Sequence, residues 1–330
     1  MPKYSEYDYM YAAAKIAAVS CRLCGKQKLY SFCDASSVTE LAERLAEIGM
    51  KPVTDDKGFS PGLTLDGWLC GEYDNLLSYL PSPEPVRILR SRYDCHNIKT
   101  AIKCRYLGVS PDGIFIDCGN VSADNCRKMA ENHDFFGFSA NLKKAAEEAD
   151  RLIDGTHDAR CVDVLLDRAC FAEMKAFTDS FGFEPATKLL ALKTDMTNVM
   201  SFLRTKKIKS PEKAARLLAD SCLTGGNVPA CDVISAGDTD ELCRLLNRYI
   251  DGEIAGIVKK YADDGDTLAN MLDREFLSRT KKICGISQLG AYPVCEYVIS
   301  LEYQVKNLRI IMSGVGSGTD PDTIRERLRA

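Results

Sequence analysis

Apolar residues recur at helical spacing along nearly the whole chain, and runs of β-branched residues are few. The clearest stripe is Val294, Tyr297, Val298, Leu301, Val305, Leu308 and Met312, steps of three and four that put every member on one face of an α-helix. A helix from about Pro293 to Ser313 is predicted, with the proline tolerated in its first turn and Gly314 placed to stop it. About 20 residues at 1.5 Å each make a rod of roughly 30 Å. The segment SSVTELAERLAEIG (36–49) has the same character: a Ser/Thr start, an early Glu, Leu41 and Leu45 in phase, and Gly49 as the stop. The expected fold class is all-α.

The helical pattern also repeats at long range. Leucine follows a polar turn at Leu41, Leu142 and Leu242, in SVTEL, FSANL and DTDEL. A Leu-Asp pair recurs at Asp66, Asp167 and Asp273, and a proline before a small apolar residue at Pro85, Pro185 and Pro293. An asparagine follows in DCHNI (Asn97), DMTNV (Asn198) and QVKNL (Asn307). A glycine turn comes last, as GNVSAD from Gly119, GNVPAC from Gly226 and the shorter GSGTDPD from Gly316. The asparagines stand 101 and 109 positions apart, the aspartates 101 and 106, the leucines 101 and 100. Three related helical units are therefore expected, over residues 1–135 (with the N-terminal helix), 136–235 and 236–330. Three similar lobes in one chain can close into a ring or funnel.

The copies act as an internal control on candidate chemistry. Asp94, Cys95, His96 and Asn97 stand in a row, four side chains that bind metals or move protons. In the other copies DCHN becomes DMTN and QVKN, so only the asparagine persists. Cys95 and His96 would also point about 100° apart on a helix. A buried amide must be hydrogen-bonded, and each asparagine is expected to tie its helix to a turn of the same lobe. Cys21 and Cys24 form a C-x-x-C half-site, but no second pair or H-x₃-H completes a zinc site. GVGSG (314–318) follows a helix and lacks a Gly-Lys-Ser/Thr sequel, unlike a phosphate loop. With three histidines, no G-x-S-x-G and no H-E-x-x-H, the reading is of no catalytic residue, no metal and no cofactor.

Composition narrows the classes further. The 330 residues are 45% hydrophobic and 27% charged, ordinary for a folded chain. Net charge is −4, against nucleic-acid binding, for which a basic excess is the usual sign. The longest uncharged run, Ile283 to Cys295, has 13 residues, too few for a membrane span of about 20. The opening MPKYSEYDYMYAAAK lacks the apolar centre of an export signal, so the fifteen cysteines are expected as free thiols, most of them small core residues. One basic cluster stands out: Arg204, Lys206, Lys207, Lys209, Lys213 and Arg216, opposed within the stretch only by Glu212. Some of these cations should stabilise the negative end of the preceding helix; an acidic partner or membrane headgroups are the functional reading.

With the repeat in place the chain resembles a known family, the C subunits of the archaeal and bacterial V-type (A-type) ATP synthases, related to the d subunit of the vacuolar ATPase. The resemblance rests on YDYMYAAAKIAA (7–18), RYDCHNIKTAIK (92–103), LLDRACFAEM (165–174), DMTNVMSFLRTKK (195–207) and the stretch from Tyr297 to Leu328. Lys15 stands where arginine is expected, and cysteine is unusually abundant. The resemblance implies an all-helical, funnel-shaped body of three lobes with pseudo-threefold symmetry. It implies a non-catalytic central-stalk (rotor) component at the cytoplasmic, inner face of the membrane. Its partners would be the central-shaft subunits of D and F type and the membrane proteolipid ring. The coupling ion, and the choice between ATP synthesis and hydrolysis, would lie in other chains. A generic helical scaffold or adaptor is the alternative, and an enzyme using Cys21, Cys24 and His96 the more distant one.

Overall fold

A computed structural model describes residues 4–55, 58–111 and 113–329. Every regular element among the described residues is a helix apart from a two-residue antiparallel pair, β1 (Thr54–Asp55) with β2 (Gly58–Phe59). In chain order the helices begin with α1 (Met10–Val19), α2 (Lys26–Cys33), α3 (Val38–Ala46), α4 (Pro61–Leu77) and α5 (Glu84–Leu107). There follow α6 (Ala123–Glu131), α7 (Ala140–Thr156), α8 (Arg160–Phe181), α9 (Glu184–Lys206), α10 (Pro211–Ser221) and α11 (Ala230–Ser235). The last are α12 (Thr239–Tyr249), α13 (Gly252–Tyr261), α14 (Gly265–Cys284), α15 (Tyr292–Gly316) and α16 (Pro321–Arg327). Two compact units are present, one of residues 84–269 and one combining the segment up to 83 with that from 270 onward.

Within the first unit, α5, α6, α7 and α8 enclose one core. Ile98 and Ile102 from α5, Cys126 and Ala130 from α6, Leu142, Ala146, Ala149 and Ile153 from α7, and Val162, Leu166 and Met174 from α8 meet there. Alanines on α7 let it lie close to α8, while the branched side chains fill the space between the other helices. Further along, α9 packs on α8, α10 and α11, and α12 pairs with α13.

The second unit is made from both ends of the chain. Helix α15 packs against α1, α2, α3, α4 and α16, and α16 also rests on α2. Tyr73 on α4 donates to Glu302 on α15, and Tyr297 donates to Glu72 at 3.2 Å. The stripe expected on the C-terminal helix is buried in full, from Val294 through Met312.

Helix α15 ends three residues later than its pattern predicts. Gly314 is inside the helix, where Ile324 of α16 lies against it; a Cβ there would stand 2.6 Å from Ile324 Cδ1. The turn is made at Gly318, with φ +67°, a conformation glycine adopts without steric cost. Gly314 thus serves close helix approach rather than termination. Helix α3 follows its prediction: Ser37 caps it by accepting from the Glu40 N–H, and Gly49 turns the chain at φ +85°.

Candidate functional site

The three repeat asparagines are all buried, and each is bonded to the backbone of a later segment. Asn97 Nδ2 donates to the Ile116 carbonyl at 2.8 Å and its Oδ1 accepts from the Ile116 N–H at 3.0 Å. Asn198 does the same with Leu223, at 2.9 and 2.7 Å. Asn307 Oδ1 accepts from the Arg329 N–H at 2.7 Å. An amide presents one acceptor and one donor side by side, so it can replace a strand neighbour for a lone peptide group. Asn97 and Asn198 use both groups on one residue, which explains why asparagine, and not aspartate or leucine, stands at these two positions.

One helical turn earlier a second side chain faces the same way. Asp94 accepts from Asn120 Nδ2 at 2.8 Å and from the Val121 N–H at 2.8 Å. Asp195 accepts from the Asn227 N–H at 2.9 Å, from Asn227 Nδ2 at 2.7 Å and from the Val228 N–H at 3.0 Å. Each carboxylate therefore holds a Gly-Asn-Val turn, and the glycine is required by the approach. A Cβ on Gly119 would stand 2.3 Å from Asp94 Oδ1, and one on Gly226 2.2 Å from Asp195 Oδ1. Burial pushes the Asp94 carboxyl up to about 6, outweighing its N–H donors, and moves Asp195 in the same direction. At the third position Gln304 Oε1 accepts from the Cys24 N–H at 2.6 Å, 280 residues away. All three anchored segments then run into a helix of at most nine residues (α6, α11 and α2) and on to a capped leucine helix (α7, α12 and α3). Ser139, Asp238 and Ser37 are the caps, and Leu142, Leu242 and Leu41 are buried.

The Leu-Asp aspartates are ion-paired. Lys99, two residues after Asn97, meets Asp167 at 2.5 Å, and Arg309, two residues after Asn307, meets Asp66. Met200 occupies the matching place after Asn198. Asp273 is bound instead by Tyr303 at 2.8 Å, by Lys306 and by Arg329 at 3.5 Å. Asp167 is exposed and Asp273 buried, so their pairs differ in worth: exposed pairs contribute little, while breaking a buried one is costly.

The cations of residues 204–216 are all exposed. Lys206 caps the Gly237 carbonyl and Lys207 donates to the Asp263 carbonyl at 3.3 Å, so both ammoniums contact uncharged groups. Arg216 lies 3.9 Å from Asp220. Lys213 stands near Asp158, whose carboxyl the Arg160 guanidinium already draws down to about 2. The three histidines are apart in role: His96 meets the Ile114 carbonyl at 3.0 Å, His133 meets Asp150 at 2.5 Å, and His157 meets Tyr106 at 2.8 Å. Cys24 is half-buried, with its thiol pushed up to about 11, which disfavours the thiolate a metal would need. Among the described residues no group of three His, Cys, Asp or Glu is placed to hold a metal ion.

A family model described as ATP synthase (C/AC39) subunit matches residues 12–327. The chain belongs to this family. The match begins within α1, ends with α16 and takes in all three asparagines. Among curated relatives, the C subunit of the A-type ATP synthase of Methanocaldococcus jannaschii is 24% identical, covering 97% of this chain and 86% of the relative. Its counterpart from Thermococcus onnurineus is 21% identical over 98% and 90%. The C subunit of the V-type sodium ATPase of Enterococcus hirae is 20% identical over 93% and 94%. Family membership thus extends over both compact units.

Two readings of the sequence need adjustment around these residues. Thirteen cysteines are free thiols, and most of them are buried, but Cys70 and Cys118 are each disulfide-bonded. The pairing of Asp94 and Asp195 with the Gly-Asn-Val turns is also absent from the sequence reading. Its signal is present there: DxxN and GNV occur together in two copies, and the third lacks both the aspartate and the Asn-Val. Among the described residues no helix is long and apolar enough to cross a membrane.

Proposed function

We propose that this chain is a non-catalytic central-stalk (rotor) component of a V/A-type rotary ATPase or ATP synthase. It links the central shaft, built of D- and F-type subunits, to the membrane proteolipid ring and passes torque between them. The reading is carried by the family match over residues 12–327, joined to the three-fold recurrence of a buried asparagine tie. Close-packed interiors have low compressibility, and each tie fixes a turn against its helix, so load on a lobe moves it as a body. No cofactor, metal or nucleic acid enters this role, and the chain sits peripherally on the cytoplasmic face.

In the same reading the body is a pseudo-threefold funnel of three lobes, with the sequence division at 1–135, 136–235 and 236–330. The core that α5 shares with α6, α7 and α8 runs across the 135/136 division, joining the asparagine helix of the first sequence unit to the leucine and Leu-Asp helices of the second. The exposed cations Arg204, Lys206, Lys207, Lys209, Lys213 and Arg216 form an outer contact. Co-purification of the tagged chain from its own membranes tests the assignment: shaft subunits and proteolipid should accompany it. A preparation that captures neither counts against the rotor role and leaves the generic scaffold.

A further inference from the structure

The turn that Asn198 and Asp195 hold is bounded at both ends by cysteine, in CLTGGNVPAC (222–231). Cys222 ends α10, its N–H donating to the Leu218 carbonyl at 2.8 Å, and its side chain is buried at 4% exposure. Its Sγ lies 3.8 Å from the carbonyl of Ala230, the residue bonded to Cys231. Cys231 is a free, exposed thiol in the first turn of α11. The buried sulfur therefore rests against the peptide group that joins Ala230 to Cys231. An accessible thiol with a protected thiol beside it is the arrangement in which an oxidised sulfur is captured before further oxidation.

We propose that Cys231 and Cys222 form an oxidant-responsive pair, in which a hydroperoxide oxidises Cys231 and Cys222 then closes a disulfide across the turn. The Cys231 thiolate attacks the distal peroxide oxygen, the O–O bond breaks, and water or alcohol leaves after protonation. Cys231 is then a sulfenic acid. Cys222 sulfur attacks the sulfenyl sulfur, the S–O bond breaks, and the hydroxyl departs as water with the proton Cys222 gives up. Two thiols are oxidised, and one hydroperoxide is reduced. The neighbour at Cys231 is the Asp232 carboxylate, 3.5 Å from its Sγ, and not a cation. A carboxylate beside the sulfur does nothing to speed its attack, so the pair senses sustained oxidant rather than acting as a peroxidase. Once closed, the bond turns a segment held by Leu223, Asn227 and Val228 into a covalent loop.

The test uses the reduced full-length chain, folded, with hydrogen peroxide as the probe. After alkylation, non-reducing peptide mapping should show a Cys222–Cys231 cross-link, with both thiols lost together and both restored by a thiol reductant. Cys231→Ser, at an exposed position, should leave Cys222 alkylatable through the same exposure. Cys222→Ser should leave Cys231 as a sulfenic acid that dimedone traps. Oxidation of wild-type Cys231 to sulfinic acid while Cys222 stays alkylatable would overturn the proposal. So would a Cys231 that does not react, or a cross-link from Cys222 that persists in Cys231→Ser.

Discussion

Asn198 and Leu223 exchange two hydrogen bonds, at 2.9 and 2.7 Å, across 25 residues of sequence and out of contact with water. The exchange joins the middle of a 23-residue helix to a stretch with no regular neighbour of its own. Asn198→Leu would keep the volume roughly and leave both Leu223 groups buried without partners. A loss of about 1–3 kcal/mol in unfolding free energy is expected. Denaturant titration of wild type and variant measures it, and an unchanged midpoint would show that the tie contributes nothing to stability.

Gly226 and Asp195 form a second coupled pair, one for which a double-mutant cycle is decisive. Gly226→Ala forces a methyl into a position 2.2 Å from the carboxylate oxygen, so the turn or the carboxylate must move. Overpacking of this kind costs about 1–3 kcal/mol. In an Asp195→Ala background the space is open, so the same glycine change should cost much less. An interaction energy of about 0.5–3 kcal/mol is expected for contacting residues. Additive losses would mean that the glycine is needed for its backbone alone.

These two pairs show what the sequence carries and what it does not. Asn97, Asn198 and Asn307 are legible because the same letter recurs at matching intervals, and a buried amide has one chemical use. The helices are legible from apolar phase, except where contact overrides it: Gly314 looks like a stop until Ile324 is seen against it. Asp94 and Asp195 are harder, since part of their hold is on backbone N–H groups and only the joint recurrence of DxxN and GNV in two of the three copies signals it. Gln304 is harder still, because its partner Cys24 comes from the other end of the chain. The cations of 204–216 are legible as a cluster, but their nearest carbonyls and carboxylates come from segments that only folding brings near.

Asp94 makes the acid range informative. Its carboxyl titrates near 6 in the fold against an ordinary value of 3.8, so the folded state binds the proton more tightly than the unfolded chain. The stabilisation is then fully present below about pH 4 and is lost as pH rises through about 6. Asp94→Asn cannot titrate and keeps one acceptor oxygen for the turn. The stability of wild type relative to Asp94→Asn should therefore fall between about pH 4 and pH 6, then level off. Urea midpoints of both proteins across that range measure the difference. A difference that is flat with pH, or that rises, would show that the two hydrogen bonds from the turn outweigh burial.

Two helical glycines should respond to alanine with opposite signs. Gly256 lies in α13, exposed, with nothing within 4 Å of a built Cβ. Alanine there removes unfolded-state freedom without a clash, so Gly256→Ala should stabilise by about 0.5–1 kcal/mol. Gly314 has the same helical backbone in α15, but its Cβ would meet Ile324 Cδ1 and Cγ1, both at 2.6 Å. The propensity gain of up to about 1 kcal/mol is opposed by an overpacking cost of about 1–3 kcal/mol, and the clash prevails. Gly314→Ala should lower stability and loosen α16, whose Ile324 is 1% exposed. Shortening the obstructing side chain tests the cause: Ile324→Ala costs stability alone by opening a cavity, yet in combination with Gly314→Ala the total should be less than the sum. Hydrogen exchange at the α16 amides reads the local effect directly, with faster exchange in Gly314→Ala and wild-type rates in Gly256→Ala. Equal exchange in the two variants would mean that α16 is held by Arg325–Asp34 and its other contacts, and not by the Gly314 seat.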